Sequence, residues 1–442
     1  MSSAGARDHH DHARPFSFPE LRLEVAGACV AGAFRGPCGL AVAADGRIGR
    51  VAAHAAGHGR AIDLRPSRCI AIPAFANAHV HLDLSSIPAE SLPRSGFADW
   101  IEGLVAARNA SGSAAGFERA VIRGAEELLR HGCAAIGDID STGAAWAALR
   151  RTPLEGVVFR EWLGATVGPA LAAANAAALA ERSGAEGDRL RWGISPHAPY
   201  STSAEVYATA FASARQHGVL VTSHVAESRE EEAYLRERAG PLAELFRRWN
   251  VERRPGGDDA LSPLSRLASL GPPRGFLVVH GNLLPAADLD ACARNGWPLV
   301  HCPRSREWFG HPSPPLAEAA RRGVLLALGT DSRASNPSLD PWQELATWRR
   351  HDRELADRAL IAAATRGGRA ALQLPPAELR DGEWATFQLV EPVDGADLGA
   401  DEWPAVAVRG GLRTVALFIR GRVAWQAAHL PSLGGADLPP PG

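Results

Sequence analysis

Two histidines, His79 and His81, stand one residue apart at the end of an apolar segment, AFANAHVHLDLS, residues 74–85. On a β-strand, alternate side chains point to the same face, so the two imidazoles would lie about two residue rises apart. That spacing suits two ligands of one metal ion. A packed pair or a surface pair of histidines is the alternative, and the H-x-H pattern by itself does not decide between them.

Three further polar residues stand at the ends of apolar segments: His224 in VTSHVAE, His280 in LVVHGN and Asp331 in LALGTDS. If these segments are strands of one barrel, their carboxyl ends converge on the face where such barrels build active sites. Buried histidine and aspartate side chains are unfavourable without partners, so their repeated placement at strand ends predicts a shared site. Imidazoles combined with one carboxylate suit zinc or iron and leave a position for water.

Glu227 follows His224 by three residues, so on a regular strand the two side chains would face opposite ways. For both to serve one site, the strand must end near Ala226 and turn Glu227 back over the metal. A carboxylate in that position can move protons between water and a substrate. The alternative is a solvated glutamate beside Arg229 and Glu230.

The segments that carry these residues alternate with stretches of helical spacing, such as FERAVIRGAEELLRHG. The strand candidates are CIAIPAFANAHVHL, CAAIGDID, GVVFREWLG, LRWGISPHAPY, VLVTSHVAE, GFLVVHGN, PLVHCPRS and VLLALGTDS, and they belong to eight strand–helix units between about residues 75 and 374. Eight strand–helix units predict an α/β chain folded as a (β/α)8 TIM barrel, with a doubly wound open sheet as the alternative.

Short β-like segments broken by glycine flank the barrel region on both sides, which predicts a small β-sandwich domain formed by both termini. The predicted organisation is a disordered tail at 1–17, β-domain parts at 18–72 and 375–430, the barrel at 73–374, and a second tail at 431–442. In the first tail, a cluster of three histidines could bind metal, but a solvated tail is the favoured interpretation: His9, His10 and His12.

The overall composition argues against several classes of protein. The chain has 442 residues, 46% of them hydrophobic, which is enough for one large and one smaller domain. A net charge of −2 provides no basic field for nucleic acid. The N-terminus lacks the apolar segment of a signal peptide, and the chain has no run of about 18 apolar residues that predicts a membrane span.

The cysteine and lysine contents bear on the location of the protein and on the reactions it can catalyse. Six cysteines without a CxxC motif favour reduced thiols and a cytoplasmic location: Cys29, Cys38, Cys69, Cys133, Cys292 and Cys302. The sequence contains 47 arginines and no lysine. Schiff-base chemistry, a P-loop lysine and a carbamylated-lysine bridge between two metals are therefore excluded.

The motifs AFANAHVHLDL, SPHAPYS, TSHVAES, VVHGN, HCPRS and ALGTDSRASN together resemble the amidohydrolase superfamily. The resemblance runs nearly end to end and is to the branch of cytosine, adenosine-type and S-adenosylhomocysteine deaminases and chlorotriazine hydrolases. It implies one divalent transition metal, zinc or else iron, whose ligands would be His79, His81, His224 and Asp331. It further implies that Glu227 is the proton shuttle, and that His280 and Asp331 orient the attacking hydroxide.

Within that branch, the segments NAHVHLDLS and HCPRSREWFGHPSPPLAEAARRG look like aminodeoxyfutalosine deaminases. This likeness implies hydrolytic deamination of a 6-aminopurine nucleoside, with 6-amino-6-deoxyfutalosine, converted to futalosine in menaquinone biosynthesis, as the leading substrate. Another heterocycle deaminase, a chlorohydrolase, or a non-catalytic binding relative are the alternatives. Two residues differ from those that aminodeoxyfutalosine deaminases usually have. Asp83 stands where those proteins have glutamate, and Arg306 stands where they have histidine or asparagine.

Several residues are candidates for contact with the substrate. His197 is expected to hydrogen-bond it, with a helix-capping or core role as the alternative. Arg306 offers a planar fork for a substrate carboxylate, unless it pairs with Glu307 or another surface acid. The candidate walls for a flat base are Trp308, beside the turn after the seventh strand, and three residues for which a core position is the favoured interpretation: Trp100, Trp162 and Phe309. The expected partners are a small molecule and water, with no nucleic acid and no membrane, and a homodimer remains open.

Overall fold

The computed structural model describes residues 20–55, 57, 59–163, 170, 174, 189–251 and 261–434. The strands that precede the barrel are β1 (Leu21–Val25), β2 (Gly27–Val30), β3 (Ala33–Arg35), β4 (Cys38–Val42), β5 (Ile48–Ala52), β6 (Arg60–Asp63) and β7 (Ile70–Pro73). The barrel strands are β8 (Phe75–His81), β9 (Cys133–Asp140), β10 (Glu155–Trp162), β11 (Leu190–Pro196), β12 (Leu220–Val225), β13 (Leu277–His280), β14 (Leu299–His301), β15 (Leu326–Leu328) and β16 (Asp331–Ser332). The strands that follow are β17 (Phe387–Pro392), β18 (Leu412–Ile419) and β19 (Arg422–Gln426).

Two sheets outside the barrel combine strands from both ends of the chain. Their orders are β5-β4-β1-β6 and β19-β18-β17-β7-β2-β3. Strand β17 pairs antiparallel with β7, so that Phe387 lies opposite Pro73. Fully buried side chains from the two sheets share one core, including Leu23 and Leu40 from the first sheet and Phe387 and Phe418 from the second. This domain therefore forms only when the two termini come together.

The barrel strands follow one another in chain order around a parallel sheet, β15-β14-β13-β12-β11-β10-β9-β8-β16. At one end of this order, β15 pairs with β14, placing Leu328 beside His301. At the other end, β16 pairs with β8, placing Asp331 beside Val80. Because Leu328 and Asp331 are three residues apart, one stretch of chain reaches both ends of the sheet, and the barrel closes there.

The interior of the barrel is filled by apolar side chains from alternate strand positions, such as Val157 and Phe159 on β10 and Val279 on β13. The intervening positions, such as Val158, belong to a second core between the strands and the surrounding helices. This alternation with a period of two decides which residues near the strand ends point inward.

Helices cover the outside of the barrel and follow most of its strands. Their bounds are Phe97–Ser111, Ala114–Arg130, Ala145–Leu149, Ala204–His217, Arg229–Glu237, Pro241–Arg248, Pro263–Ala268, Ala286–Asn295, Pro303–Phe309, Leu316–Arg321, Pro341–His351, Asp357–Ala362, Gly368–Ala371 and Trp403–Ala407. Shorter helical turns span Leu82–Leu84, Ala89–Ser91 and Ala363–Gly367. Within the described ranges, none of these helices is long and apolar enough to cross a membrane.

The end signals of these helices are visible in the sequence. For helix Ala204–His217, the Ser203 hydroxyl accepts a hydrogen bond from the amide of Val206, and Gly218 ends the helix with a φ of 66°. A serine cap and a left-handed glycine are the residues that these two positions favour.

The predicted (β/α)8 barrel with a β-domain formed by both termini is confirmed. The domain boundaries given above remain predictions. The predicted N-terminal tail, with its three histidines, lies outside the described residues, as does the predicted C-terminal tail from residue 435 onward.

Candidate metal centre

Six polar residues come together at the carboxyl ends of the barrel strands. Two stand on β8, one each on β12, β13 and β16, and one on the loop after β12: His79, His81, His224, His280, Asp331 and Glu227. Their potential ligand atoms form groups of three that lie within 4.8 Å of one another. Each of these side chains is buried.

The four predicted metal ligands lie close to one another within this cluster. The Nε2 atoms of His81 and His224 are 3.3 Å apart. Asp331 Oδ1 lies 3.7 Å from His79 Nε2 and 3.6 Å from His81 Nε2. Four donor atoms from three different strands therefore face one small space, which is the arrangement that a metal ion requires.

The neighbours of His224 select its tautomer. Its Nδ1 lies 2.9 Å from the carbonyl oxygen of His197, and a carbonyl can only accept a hydrogen bond. Nδ1 therefore carries the proton and donates it, so that Nε2 presents a lone pair toward His81 and Asp331. Such a hydrogen bond to the second ring nitrogen is the usual support of a metal-binding histidine.

Asp331 is oriented by two serines. Its Oδ2 accepts hydrogen bonds from the Ser305 hydroxyl at 2.6 Å and from the Ser335 hydroxyl at 2.9 Å. Its Oδ1 accepts one from the amide of Ser332 and faces the histidines. Asp331 also has a φ of 59°, a backbone conformation that is unfavourable for residues other than glycine and that is concentrated at functional sites.

Glu227 reaches the site through a sharp turn. Strand β12 ends at Val225, and Ala226 has a φ of 54°. This left-handed residue swings the next side chain inward, and Glu227 Oε1 lies 3.6 Å from His280 Nε2. The amide of Glu227 donates to the Glu231 carboxylate at 2.7 Å, which fixes the turn.

The electrostatics of the cluster favour neutral histidines and a charged aspartate. Burial, together with the nearby His79, lowers the pKa of His224 to about 4. Burial also lowers the pKa of His81 and of His280 well below the ordinary range. Burial alone would raise the pKa of Asp331, but the hydrogen-bonding contact with His79 and the electrostatic interaction with the His81 and His280 rings outweigh it and hold that pKa well below its usual value.

These features fit a divalent cation. His79 is 1% exposed, and no described residue hydrogen-bonds either of its ring nitrogens. Unpartnered buried imidazoles are unfavourable in an empty protein interior, but deprotonated imidazoles and a carboxylate are the form in which such ligands bind metal. Burial, together with the Asp331 charge, raises the pKa of Glu227 well above the usual range, so this carboxyl can carry a proton beside the ligands.

Comparison with known proteins agrees with this geometry. The sequence profile of the amidohydrolase family matches residues 70–423. The chain belongs to the amidohydrolase family. It is 32% identical, over 70% of its length and 75% of the relative's, to the aminodeoxyfutalosine deaminase of Deinococcus radiodurans. This amidohydrolase is therefore a hydrolase that acts on carbon–nitrogen bonds.

Two solved structures share the fold of this amidohydrolase. The Helicobacter pylori aminofutalosine deaminase in complex with methylthio-coformycin has a TM-score of 0.78 at 20% identity, covering 91% of this chain and 99% of that one. A Xanthomonas campestris adenosine deaminase with bound zinc has a TM-score of 0.78 at 20% identity, covering 93% and 94%.

His197 borders the amidohydrolase site. Its ring lies 4.9 Å from that of His224, and its Nδ1 is 2.6 Å from the Ser201 hydroxyl. Its carbonyl supports His224, as described above, so the residue has a clear structural role. Its contact with a substrate stays a prediction.

The predicted aromatic walls divide into two groups. Trp308 and Phe309 line a cavity of ≈ 280 Å³ together with Phe97, at the mouth of the barrel. Trp100 packs against Phe309, and its indole nitrogen donates to the carbonyl of Ala334. Trp162 is fully buried in the core between strands and helices, which is the position favoured for it above, because its place on β10 faces outward.

Arg306 is directed toward its own loop. Its Nη1 donates to the carbonyl of His311 at 3.0 Å and to the Ser313 hydroxyl at 3.1 Å, and the residue is 7% exposed. The alternative of a pair with Glu307 is wrong, since Glu307 instead binds Arg350 and His351. The predicted contact between Arg306 and a substrate carboxylate stays a prediction.

Sequence reasoning assigned no role to the residues that hold the site in place. Ser305 and Ser335 orient Asp331, and Glu231 fixes the turn at Glu227. Both serines stand in the quoted motifs HCPRS and ALGTDSRASN, but a serine near a strand end has no periodic signature. Asp83, which departs from the likeness described above, is fully buried and accepts hydrogen bonds from the amide and hydroxyl of Ser141.

Proposed function

We propose that this amidohydrolase removes the amino group of a 6-aminopurine nucleoside by hydrolysis, using one divalent metal held by His79, His81, His224 and Asp331. The observation that carries the proposal is the placement of Glu227, a buried carboxyl 3.6 Å from His280 and adjacent to the ligand cluster. Deamination needs a group that gives a proton to the ring and to the departing ammonia, and Glu227 is positioned to do both.

Each side chain has a distinct part in this reaction. A divalent metal in such a site supplies Lewis acidity that lowers the pKa of water toward neutrality. Glu227 accepts a proton from the attacking water and delivers it to the ring nitrogen next to the amino-bearing carbon, which makes that carbon electrophilic. His280 and Asp331 orient the water by hydrogen bonds. Proton transfers of this kind contribute about 10²–10⁴-fold to a rate.

At the level of the individual substrate, we propose 6-amino-6-deoxyfutalosine, which would be converted to futalosine on the route to menaquinone. The 32% identity to the Deinococcus radiodurans aminodeoxyfutalosine deaminase supports this choice. The cavity that Trp308 and Phe309 line is also lined by Arg94, Arg229 and Glu230. Aromatic walls and guanidinium groups suit the benzoate that this nucleoside carries.

The metal, location and assembly belong to the same proposal. Zinc suits a site of three imidazoles and one carboxylate, with iron as the alternative. All six cysteines are free and buried, which agrees with a cytoplasmic location. A homodimer stays a prediction that sedimentation analysis can test.

A substrate panel tests the proposal. Zinc-loaded protein is incubated with aminodeoxyfutalosine, adenosine, methylthioadenosine, S-adenosylhomocysteine, cytosine and a chlorotriazine, and ammonia and the ultraviolet spectrum are followed. We expect ammonia release from the purine nucleosides, with the highest kcat/KM for aminodeoxyfutalosine. Better turnover of another nucleoside would refute the specific substrate but not nucleoside deamination. Chloride release without ammonia release would refute deamination itself.

A further inference from the structure

Glu161, the last residue but one of β10, is a buried carboxyl without a partner among the described residues. It is 8% exposed. No hydrogen bond or ion pair joins its carboxyl to any residue of the described ranges, although two arginines, Arg108 and Arg160, and two aspartates, Asp83 and Asp140, are near enough to affect its pKa. A nearly buried carboxyl that no described protein group hydrogen-bonds is unfavourable, so its presence needs an explanation.

The alternation along β10 shows which way this side chain points. Val157 and Phe159 belong to the core inside the barrel, whereas Val158 and Trp162 belong to the core under the helices. Glu161 has the parity of Val157 and Phe159, so it points into the barrel.

The register of the sheet gives the height of Glu161 in the barrel. Val80 on β8 aligns with Asp138 on β9, which in turn aligns with Val158 on β10. Glu161 lies three residues beyond Val158 toward the carboxyl end, whereas the predicted ligand His81 lies one residue beyond Val80. Glu161 therefore faces the same end of the barrel interior as the metal centre.

The neighbouring arginines are engaged elsewhere. Arg160 donates to the carbonyl of Asp140 and lies 3.7 Å from its carboxylate. Arg108 donates to the carbonyl of Ser141. Burial raises the pKa of Glu161 to about 8, and the charge of Arg108 only partly offsets that effect. None of the described residues around Glu161 therefore hydrogen-bonds its carboxyl group.

A second unpartnered polar group stands beside it. Ser195 on β11 is the register partner of Glu161 and shares its inward parity. Ser195 is fully buried, and among the described residues its hydroxyl has no hydrogen-bond partner. The next strand of the sheet, β12, carries His224 in the metal centre. Glu161 and Ser195 therefore lie side by side on the inward face of the sheet, and Ser195 is on the strand next to the one that carries His224.

We propose that Glu161 binds the substrate by accepting a hydrogen bond from a hydroxyl group of its sugar, so that it selects ribonucleosides over deoxynucleosides. The inference rests on the proposed nucleoside deamination. With or without a proton, a carboxyl group keeps an acceptor oxygen, and that oxygen needs a donor as its partner. In a 6-aminopurine nucleoside the amino group is at the metal, and the purine has no other N–H group, so the sugar hydroxyls are the donors that remain.

The test pairs a substitution in the protein with a deletion in the substrate. The kcat/KM of wild-type protein and of Glu161→Ala is measured with adenosine, 2′-deoxyadenosine and 3′-deoxyadenosine, which share the base and the 5′ group. We expect the wild type to lose roughly 10- to 100-fold with one of the deoxynucleosides. Glu161→Ala should lose a similar factor with adenosine and lose nothing more with that deoxynucleoside.

Two additional variants separate binding from folding. Glu161→Gln, which keeps one acceptor oxygen without the charge, should discriminate to an intermediate degree. Glu155→Gln is the matched control, because Glu155 is a buried glutamate at the other end of β10 that pairs with Arg369 and Arg420. It should lower the melting temperature and leave the preference for the ribonucleoside as in the wild type.

The outcomes that overturn the proposal are distinct. If wild-type protein has the same kcat/KM with all three nucleosides, Glu161 does not bind a sugar hydroxyl, whether or not the variants fold. If Glu161→Ala loses the same factor with every nucleoside, the residue has a structural role only. If the wild type deaminates no 6-aminopurine nucleoside at all, the proposed function fails, and this inference fails with it.

Discussion

Replacing Ser305 by alanine should weaken metal binding without removing any metal ligand. The Ser305 hydroxyl donates to Asp331 Oδ2 at 2.6 Å, opposite the oxygen that faces His79 and His81. Without that donor the carboxylate is less firmly oriented, because only the Ser335 hydroxyl, at 2.9 Å, and the Ser332 amide still hold it. The substitution removes only the buried Ser305 hydroxyl and leaves all four predicted metal ligands unchanged.

The magnitude follows from the charge of the acceptor. A hydrogen bond to a charged group contributes about 1.5–3 kcal/mol, which corresponds to a factor of roughly 10 to 150. Loss of a residue that orients a metal ligand typically weakens metal affinity by about 10–100-fold. We therefore expect Ser305→Ala to bind zinc about 10–100-fold more weakly. The double variant with Ser335→Ala should bind more weakly still, since both donors to Oδ2 are then absent.

The assay is a competition for zinc between the protein and a chelator of known affinity. Activity is then measured at saturating zinc, where the variant should recover most of its turnover. The chain offers a matched control in Ser265, whose hydroxyl donates to the buried Asp288 carboxylate at the same distance of 2.6 Å, with Ser262 as the second donor. Ser265→Ala should lower stability and leave zinc affinity unchanged. Equal zinc affinity in Ser305→Ala and Ser265→Ala would refute the orienting role.

Three further outcomes are expected. His224→Ala should lose both its metal, as measured by elemental analysis, and its activity. Wild-type protein should hold about one tightly bound metal ion per chain. Two metal equivalents after dialysis would contradict a single-metal site. Glu227→Gln should keep its metal while kcat falls by about 10²–10⁴-fold; loss of the metal would show that Glu227 is a ligand. Because Arg306 is predicted to contact the substrate carboxylate, Arg306→Ala should raise KM for aminodeoxyfutalosine roughly 10-fold more than KM for adenosine; similar changes with both substrates would show that the guanidinium only holds the His311 loop.

The sequence by itself was sufficient to predict the barrel fold and most of the side chains of the candidate metal centre. Alternating polar and apolar residues and glycine-terminated helices are local signals, so the eight-unit barrel could be predicted from them. Histidines and an aspartate at the ends of apolar strands were informative for the same reason, because a parallel barrel brings all such ends to one face. The absence of lysine excludes a carbamylated bridge on composition alone.

Other features depended on the tertiary structure, because they arise from contacts between residues distant in the sequence. The sequence required a turn at Ala226, but only the fold shows the left-handed backbone and the Glu231 carboxylate that hold it. Arg306 has a long side chain with several possible partners, and packing directed it to its own loop. The alternation along β10 was readable in the sequence, yet the lack of a partner for Glu161 among the described residues became visible only when the surrounding arginines were located. Strand periodicity is a property of neighbouring residues, whereas the partner of a long polar side chain is decided by every element that packs around it.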